Sequence, residues 1–541
     1  RDGNGVTLGV YVGSPDTTNN PQEDAMDTFI QQYEKDIIGH LSGFDRLVLR
    51  GTLRALAVKS GMLSYLWNAG IRMKDVGKCF QEKSQQLKAA SCEQAKRQGR
   101  PVIYLASPKT DKEEVAREIA RKEGIKEGLI CILTSVEPCQ TYEVFRNREE
   151  KKVELQPRIR KCLFLYHYWI DALFGFMNAR IQSWFPFAIQ VCLNGREWLG
   201  RQMDRKGLNY QRQDNCFPWI ERVEKAQRLM DQQLRTHWPV VLDRIAHRLN
   251  PAHRAMLAPF RESYYWSTYQ SEWATDIMFK SSAALAKIYP TLVRSGISVF
   301  GSGDVLRFLG KKLHGNLKGE VVSHYGQRPE GVRLKHEVKG NSVKVYDKQG
   351  SVLRIETTVN HPREFKVYRP REGSSTGALS WQRMRQGVAD LYRRAEISQA
   401  SNERYLNALA SIKVDRLLGE VVESICRPIL WRGYRVRSLR PWSREDSTLL
   451  ETISRGEFNI NGFRNRDLVG YLFPGTSDDV EARRRVSARI THRLHILRAH
   501  GIVRRVPHTF RYVMTDKGRQ IATAIIHTQH IPITKILELA A

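Results

Sequence analysis

Residues 442–475, WSREDSTLLETISRGEFNINGFRNRDLVGYLFPG, and their continuation 476–526, TSDDVEARRRVSARITHRLHILRAHGIVRRVPHTFRYVMTDKGRQIATAII, decide how the chain is read. Ser443 offers an oxygen to an orphan backbone N–H, and Glu445 and Asp446 suit the positive end of a helix. Leu449, Leu450 and Ile453 recur at helical spacing, and Gly456 stops the run. A second short helix covers 465–473, between the Asn461-Gly462 turn and Pro474-Gly475. The third begins near Ser477-Asp478-Asp479 and runs to His500. Its buried stripe is Val486, Ile490, Leu494 and Leu497, with Arg485, Arg489, His492 and Arg493 on the solvent side or its flanks. Beyond Gly501, residues 502–506 and 510–514 form two short strands around Pro507-His508-Thr509. Residues 515–518 then open a last helix that ends near Ile526.

Leu494, Leu497, His500-Gly501-Ile502-Val503 and Tyr512-Val513-Met514-Thr515-Asp516-Lys517-Gly518 form a pattern that resembles MarR-like and related winged-helix DNA-binding families. The resemblance implies a winged helix-turn-helix over 442–541. It also implies a recognition helix in the major groove and a wing on the backbone or minor groove. The DNA contacts expected on that basis are Arg485, Arg489, His492 and Arg493 on the third helix, and Arg504, Arg505 and Arg511 in the wing. A winged helix used only for protein contact is the alternative. The many arginines and few acids of helix and wing favour DNA.

The whole chain carries the same sign. Its 541 residues hold 87 Lys and Arg against 57 Asp and Glu, a formal charge of +30. Such a surface repels itself and takes a polyanion as partner. Double-stranded DNA is the first expectation, with single-stranded DNA and RNA as the other forms. A membrane is not expected, because no apolar run reaches spanning length and no basic amphipathic helix dominates. The richest apolar stretch, 162–193, is broken by His167, Asp171, Asn178, Arg180, Gln182 and Pro186. The 8 cysteines stand singly with no zinc spacing, and no secretory signal is visible. A reducing, cytoplasmic compartment is therefore expected. Oligomeric state is left open.

In chain order, residues 1–25 are polar and read as a disordered leader or a translated upstream scar, with Met26 a sensible start. Residues 26–216 form the α/β N-terminal part of a body, with a strand at 43–51 and a β–α–β unit over 102–133. No phosphate loop or dinucleotide fingerprint occurs there, which disfavours a motor ATPase or a dehydrogenase. The aromatics at 166–169 and 184–187, near Arg180 and Gln182, suit either base stacking or an aromatic core. Residues 217–318 read as a helical insertion that includes the aromatic run 263–273. Residues 319–413 read as an antiparallel sheet completed by a long helix from Trp381 to Ile412, and 414–441 as a linker. No internal repeat is visible. The expected fold class is thus α+β or α/β and multi-domain: a mixed-sheet body with a helical insertion and a C-terminal winged helix-turn-helix.

Tyr346-Asp347-Lys348, followed by Arg354-Ile355-Glu356, is similar to the "Y-D-K … R-x-E" strand pair of phage and plasmid rolling-circle replication initiators. The resemblance implies a nuclease sheet and a tyrosine, on the following helix, that attacks the DNA phosphate. Such chemistry needs Mg2+ or Mn2+. Glu356, Asp347 and His336 are the metal-ligand candidates, and Tyr392, Tyr405 and Lys348 the catalytic ones. The chain departs from that family in having no His-hydrophobe-His pair. The plainer reading makes Glu356 and Arg354 an ion pair and lets the tyrosines pack. A second enzymatic reading is an RNase H-like transposase or nuclease that uses Asp45 with Asp171 or Glu356. The expectation is a DNA-binding protein of a mobile element or plasmid that recognises a site through its wing and nicks DNA through its body. A non-enzymatic winged-helix regulator and an RNA-binding protein are the alternatives.

Overall fold

A computed structural model of the chain describes residues 24–149, 151–249, 263–298, 300–311, 321–328, 331–371, 377–410, 418–455, 458, 462–475, 479–507 and 509–529. The leader up to residue 23 lies outside these residues, as do Gly456, Asn461, Ser477, Asp478, His508 and the expected end of the long helix at Ile412.

Among the described residues, thirteen strands of the body precede the small hairpin Lys366–Pro370/Leu379–Arg383. They are β1 (Ile37–Thr52), β2 (Val102–Tyr104), β3 (Gly128–Asn147), β4 (Lys152–Asp171), β5 (Gly175–Gln182), β6 (Ile189–Asn194), β7 (Tyr210–Gln213), β8 (Cys216–Ile220), β9 (Tyr265–Phe279), β10 (Val321–Arg328), β11 (Gly331–Val338), β12 (Asn341–Lys348) and β13 (Val352–Val359). All but the β7–β8 hairpin join one 11-stranded sheet in the order β10-β11-β12-β13-β9-β1-β6-β5-β4-β3-β2. Its neighbours are antiparallel except β2 and β3, which the helix Lys112–Lys122 joins as a parallel β–α–β unit. The β11–β12 turn is Lys339-Gly340, both at positive φ (48° and 73°), the two-residue geometry that matches strand twist.

The strand path is used twice. In the first half β1 is followed by helices and then by the meander β3-β4-β5-β6, whose last strand returns beside β1. In the second half β9 is followed by helices and then by β10-β11-β12-β13, whose last strand returns beside β9. Antiparallel pairing of β1 with β9 joins the halves. This repeat of topology is absent from the residue pattern.

The structure corrects the expected helical insertion. Helices Val223–Gln233 and Trp238–Leu249 are present, but the aromatic run after them is β9, near the middle of the sheet. It reads as polar because Glu272 and Asp276 are on one of its faces. Trp381 likewise belongs to a strand, Leu379–Arg383, and the long helix starts later, at Leu391–Ala410. That helix covers one face of β9 and β13. Asn402 accepts from Thr357 Oγ1 at 2.7 Å and donates to the carbonyl oxygens of Trp273 and Ile355.

The segment expected as a linker is part of the C-terminal unit. Its helix Leu418–Cys426 and hairpin Ile429–Trp431/Tyr434–Val436 bring Ile425, Val436 and Leu439 into the core formed by Leu449, Leu450, Leu494 and Leu497. The rest of the unit is helix Arg444–Ile453, strand Phe463–Arg464, helices Asn465–Leu472 and Val480–Ala499, strands Val503–Arg505 and Arg511–Met514, and helix Asp516–Gln529. Gly518 meets the Ile502 carbonyl so closely that a Cβ would lie 2.0 Å from its oxygen. The buried Arg519 side chain pairs with Asp304 of the body helix Ser302–Phe308, which fastens the unit to the sheet. Among the described residues no helix is long and apolar enough to cross a membrane.

Candidate functional site

The face of the sheet away from helix Leu391–Ala410 is polar along the seam between its halves. There Phe44 pairs with Trp273 and Arg46 with Glu272, so Asp45 is an extra residue in β1. A bulge of this kind re-aims a side chain. Gly195, at the start of helix Gly195–Arg205, packs directly on the bulge, and a Cβ there would lie 1.7 Å from the Phe44 carbonyl oxygen. On β13, Glu356 lies opposite Lys344 of β12, and Arg354 lies opposite both Tyr346 of β12 and Asp276 of β9. Asp45, Glu272 and Glu356 thereby come together from three strands, with one carboxylate oxygen of each within 4.8 Å of the others. They line a cleft of about 240 Å3 whose walls also carry Arg46, Arg117, Arg333 and Lys348.

The cations and acids of this cleft are interleaved. Arg354 donates to Asp276 through Nε at 2.5 Å and Nη2 at 2.8 Å, and its Nη1 lies 3.2 Å from Asp45. Arg196 holds Asp276 from the other side at 3.0 Å. Asn215, between β7 and β8, donates to both Asp45 oxygens at 2.9 and 3.1 Å. Lys344 pairs with Glu356 and lies 3.9 Å from Glu272, and Tyr346 donates to Glu356 at 2.7 Å. Burial favours the neutral form of Glu356, but Lys344, Arg354 and Tyr346 outweigh it and hold its carboxyl below the usual range. Glu272 goes the other way: burial, then the neighbouring Glu356 charge and that of Asp45, raise its carboxyl to about 7. Asp276 is held low against its burial by Arg196 and Arg354.

Of the initiator-type metal-ligand candidates from the sequence, only Glu356 faces this cleft, where it meets Asp45, the acid of the RNase H-like reading. His336 and Asp347 project from the other face of the sheet, because alternation separates them from Glu356. His336 is buried between Ser323 Oγ at 2.8 Å and Tyr405 OH at 3.1 Å, and its burial lowers its pKa to about 4. Asp347 accepts from the Val332 N–H at 2.7 Å. Tyr405 is fully buried, and Tyr392, exposed beside the Arg393 guanidinium at 4.6 Å, belongs to the same helix, which lies on that side of the sheet. Neither tyrosine is placed to attack a phosphate held at Glu356. Lys348 does line the cleft and pairs with Asp214 at 3.0 Å. Asp171 caps a turn through the N–H groups of Leu173 and Phe174 and pairs with Arg248, so it takes no part. Glu272, Asp276, Lys344 and Arg196 were not singled out from sequence. The mixture of Trp, Tyr and Thr in residues 265–279, favourable in a strand, was the signal that could have exposed the first two.

The aromatics near Arg180 are core. Phe185 stacks on Phe80 with centroids 4.2 Å apart, and Gln182 donates to the carbonyls of Gln140, Trp184 and Phe185. In the C-terminal unit, Arg485, Arg489 and His492 are exposed along helix Val480–Ala499, and Arg504 and Arg505 are exposed beyond it. Arg511 is half-buried in the neighbouring strand. Arg493 departs from the expectation: it is buried, paired with Glu445 and set over the Phe473 ring at 5.1 Å. Its place on the helix turns it toward helix Arg444–Ile453. Comparison with protein families, with curated proteins and with solved structures finds no match to this chain.

Proposed function

We propose that the body cleaves nucleic-acid phosphodiesters at the cleft of Asp45, Glu272 and Glu356, and that the C-terminal unit is a winged helix-turn-helix that holds duplex DNA. The observation that carries the first part is the convergence of three carboxylates, from strands remote in sequence, in a cleft rimmed by arginine and lysine. Hard oxygen donors in this number suit Mg2+ or Mn2+. A bound ion would supply Lewis-acid stabilisation of the phosphoryl oxygens. Arg46 and Arg333 at the rim offer charge to the phosphates on either side of the scissile one. Lys344 tethers Glu356, and Arg354 with Asn215 orients Asp45. The buried Tyr405 and the placement of Tyr392 favour attack by water over a tyrosine adduct.

Support for the second part is the order helix, short strand, helix, helix, strand, strand, with the strand Phe463–Arg464 pairing back on Arg511–Met514. The exposed line Arg485, Arg489 and His492 gives the third helix a basic outer face. A source in a mobile element or plasmid remains part of this proposal, since such proteins combine site recognition with strand cleavage.

A second reading is a non-enzymatic regulator, with the cleft a structural ion network. The observation in its favour is that Asp45, Glu272, Asp276 and Glu356 are matched by Arg46, Arg196, Lys344 and Arg354. The test is to incubate the protein with single-stranded, hairpin and supercoiled DNA in Mg2+ or Mn2+. Cleavage by the wild type and its loss in Glu272→Gln, with DNA binding retained, is the expected result. Absence of cleavage on every substrate, together with absence of Mn2+ binding, leaves the regulator.

A further inference from the structure

A second surface on the body has the composition of a base-stacking platform. The strands Lys366–Pro370 and Leu379–Arg383 form a separate antiparallel hairpin in which Lys366 pairs with Arg383, Tyr368 with Trp381 and Pro370 with Leu379. Directly opposed residues share a face, and these six are all exposed. Tyr368 is 54% and Trp381 67% exposed, with ring centroids 5.6 Å apart. None of the six is acidic, and two are cationic.

The opposite face holds the hairpin still. Val367 is buried in the body core. Arg369, also buried, donates from Nε at 3.3 Å and Nη2 at 3.0 Å to the Arg383 carbonyl, and from Nη1 at 2.9 Å to that of Pro370. Met384 N–H donates to Phe365 O at 3.0 Å and continues the ladder. The two rings are therefore carried on a fixed backbone. Large aromatic side chains held in water are costly unless something covers them, and a rigid carrier lowers the entropy lost when it does.

We infer that this hairpin binds single-stranded nucleic acid, with unpaired bases stacking on Tyr368 and Trp381 and the phosphates running past Lys366 and Arg383. The charge selects this occupant: an exposed aromatic pair, its rings tilted by 56°, beside two cations and with no acid on the face, matches a chain of bases joined by phosphates. Duplex DNA hides its ring faces inside the helix, so it gains nothing from the aromatics. The inference rests on neither the carboxylate cluster nor the basic C-terminal helix.

The test uses the full chain and measures the fluorescence anisotropy of a labelled oligothymidylate and of a duplex of equal length. Trp381→Ala and Tyr368→Ala are expected each to weaken oligothymidylate binding about tenfold, the scale of one lost stacking contact, and to leave duplex binding unchanged. Trp381→Phe restores most of the loss, because the ring face is kept. Thermal melting should not move, since both side chains are exposed. The inference is overturned by an unchanged affinity for oligothymidylate, by equal losses on strand and duplex, or by a changed mass in sedimentation for Trp381→Ala. The last result would make the face a contact between copies of the chain.

Discussion

Glu272 gives the sharpest test of the carboxylate cluster, because its proton and a metal ion compete for the same oxygens. Burial, the Glu356 charge and the Asp45 charge raise its carboxyl to about 7, whereas Glu356 is already held in its ionised form by Lys344 and Arg354. A carboxyl of that pKa is about 0.9 protonated at pH 6 and about 0.1 protonated at pH 8. A cation that needs the carboxylate must expel the proton, so Mn2+ binding releases about 0.9 proton at pH 6 and tightens about tenfold by pH 8. Titration calorimetry in two buffers of different ionisation enthalpy reads the proton number directly. Glu272→Gln should bind Mn2+ more weakly and release no proton from this site. The metal-free protein carries the complementary signature. The folded-state pKa lies above the ordinary 4.5, so the unfolded state ionises first and stability falls as pH rises from about 4.5 to 7. The full cost, present above pH 7, is up to about 3 kcal/mol, and Glu272→Gln removes it there while changing nothing at pH 4. Heats of Mn2+ binding that are equal in the two buffers at pH 6, or a glutamine variant that binds Mn2+ as the wild type does, refute the assignment of Glu272 to a metal site.

Four further outcomes follow from the same structure. Affinity for duplex DNA should drop about a thousandfold between 50 and 200 mM salt if six or more phosphates are contacted, as read by anisotropy across a salt series. Arg489→Ala should weaken binding to a selected site by about 1–3 kcal/mol with little change in melting temperature. Arg493→Ala should instead destabilise the C-terminal unit by about 1–2 kcal/mol through lost packing on Phe473, because its ion-pair partner Glu445 is largely exposed. Tyr405→Phe should leave cleavage intact and cost about 1–3 kcal/mol in urea unfolding, since it strips the buried His336 of a partner.

Local signals were legible in the sequence wherever they had a local cause. Ser443 accepts from the Asp446 N–H at 3.4 Å as its capping pattern implies, and the apolar stripe Ile490, Leu494, Leu497 is buried. Arg493 misled because it is i+3 from Ile490, on the border of that stripe, and only the position of Glu445 and Phe473 decides that it turns inward. The body was harder. In β9 every second residue faces either the long helix or the ionic cleft, and the second set, Glu272 and Asp276, strips the strand of its apolar alternation. The Asp45 bulge is invisible without its partner strand, since one extra residue matters only against a fixed register. Glu356 was visible through its neighbours Tyr346 and Lys348, but its companions Asp45 and Glu272 come from strands whose adjacency only the fold reveals. His336 and Asp347 were selected by proximity in sequence, which alternation overrules.

The cleft also bears on how the two half-sheets find each other. Asp45 and Arg196 belong to the first half, Asp276, Arg354, Glu272 and Glu356 to the second, and their pairing crosses the β1/β9 seam. Buried ion pairs of this kind add little net stability, because each charge loses its water, but removal of one partner is costly. A slip of β1 against β9 by one residue would turn Asp45 and its neighbours to the wrong face and leave Arg354 and Asp276 facing a changed set of charges. An apolar seam would tolerate that slip far better. The ion network therefore penalises every register but one, and that register is the one that brings Asp45 within reach of Glu272 and Glu356. Specification of the seam and assembly of the carboxylate cluster are in this way a single event, which is why Glu272 could not be joined to Asp45 and Glu356 from any one stretch of the chain.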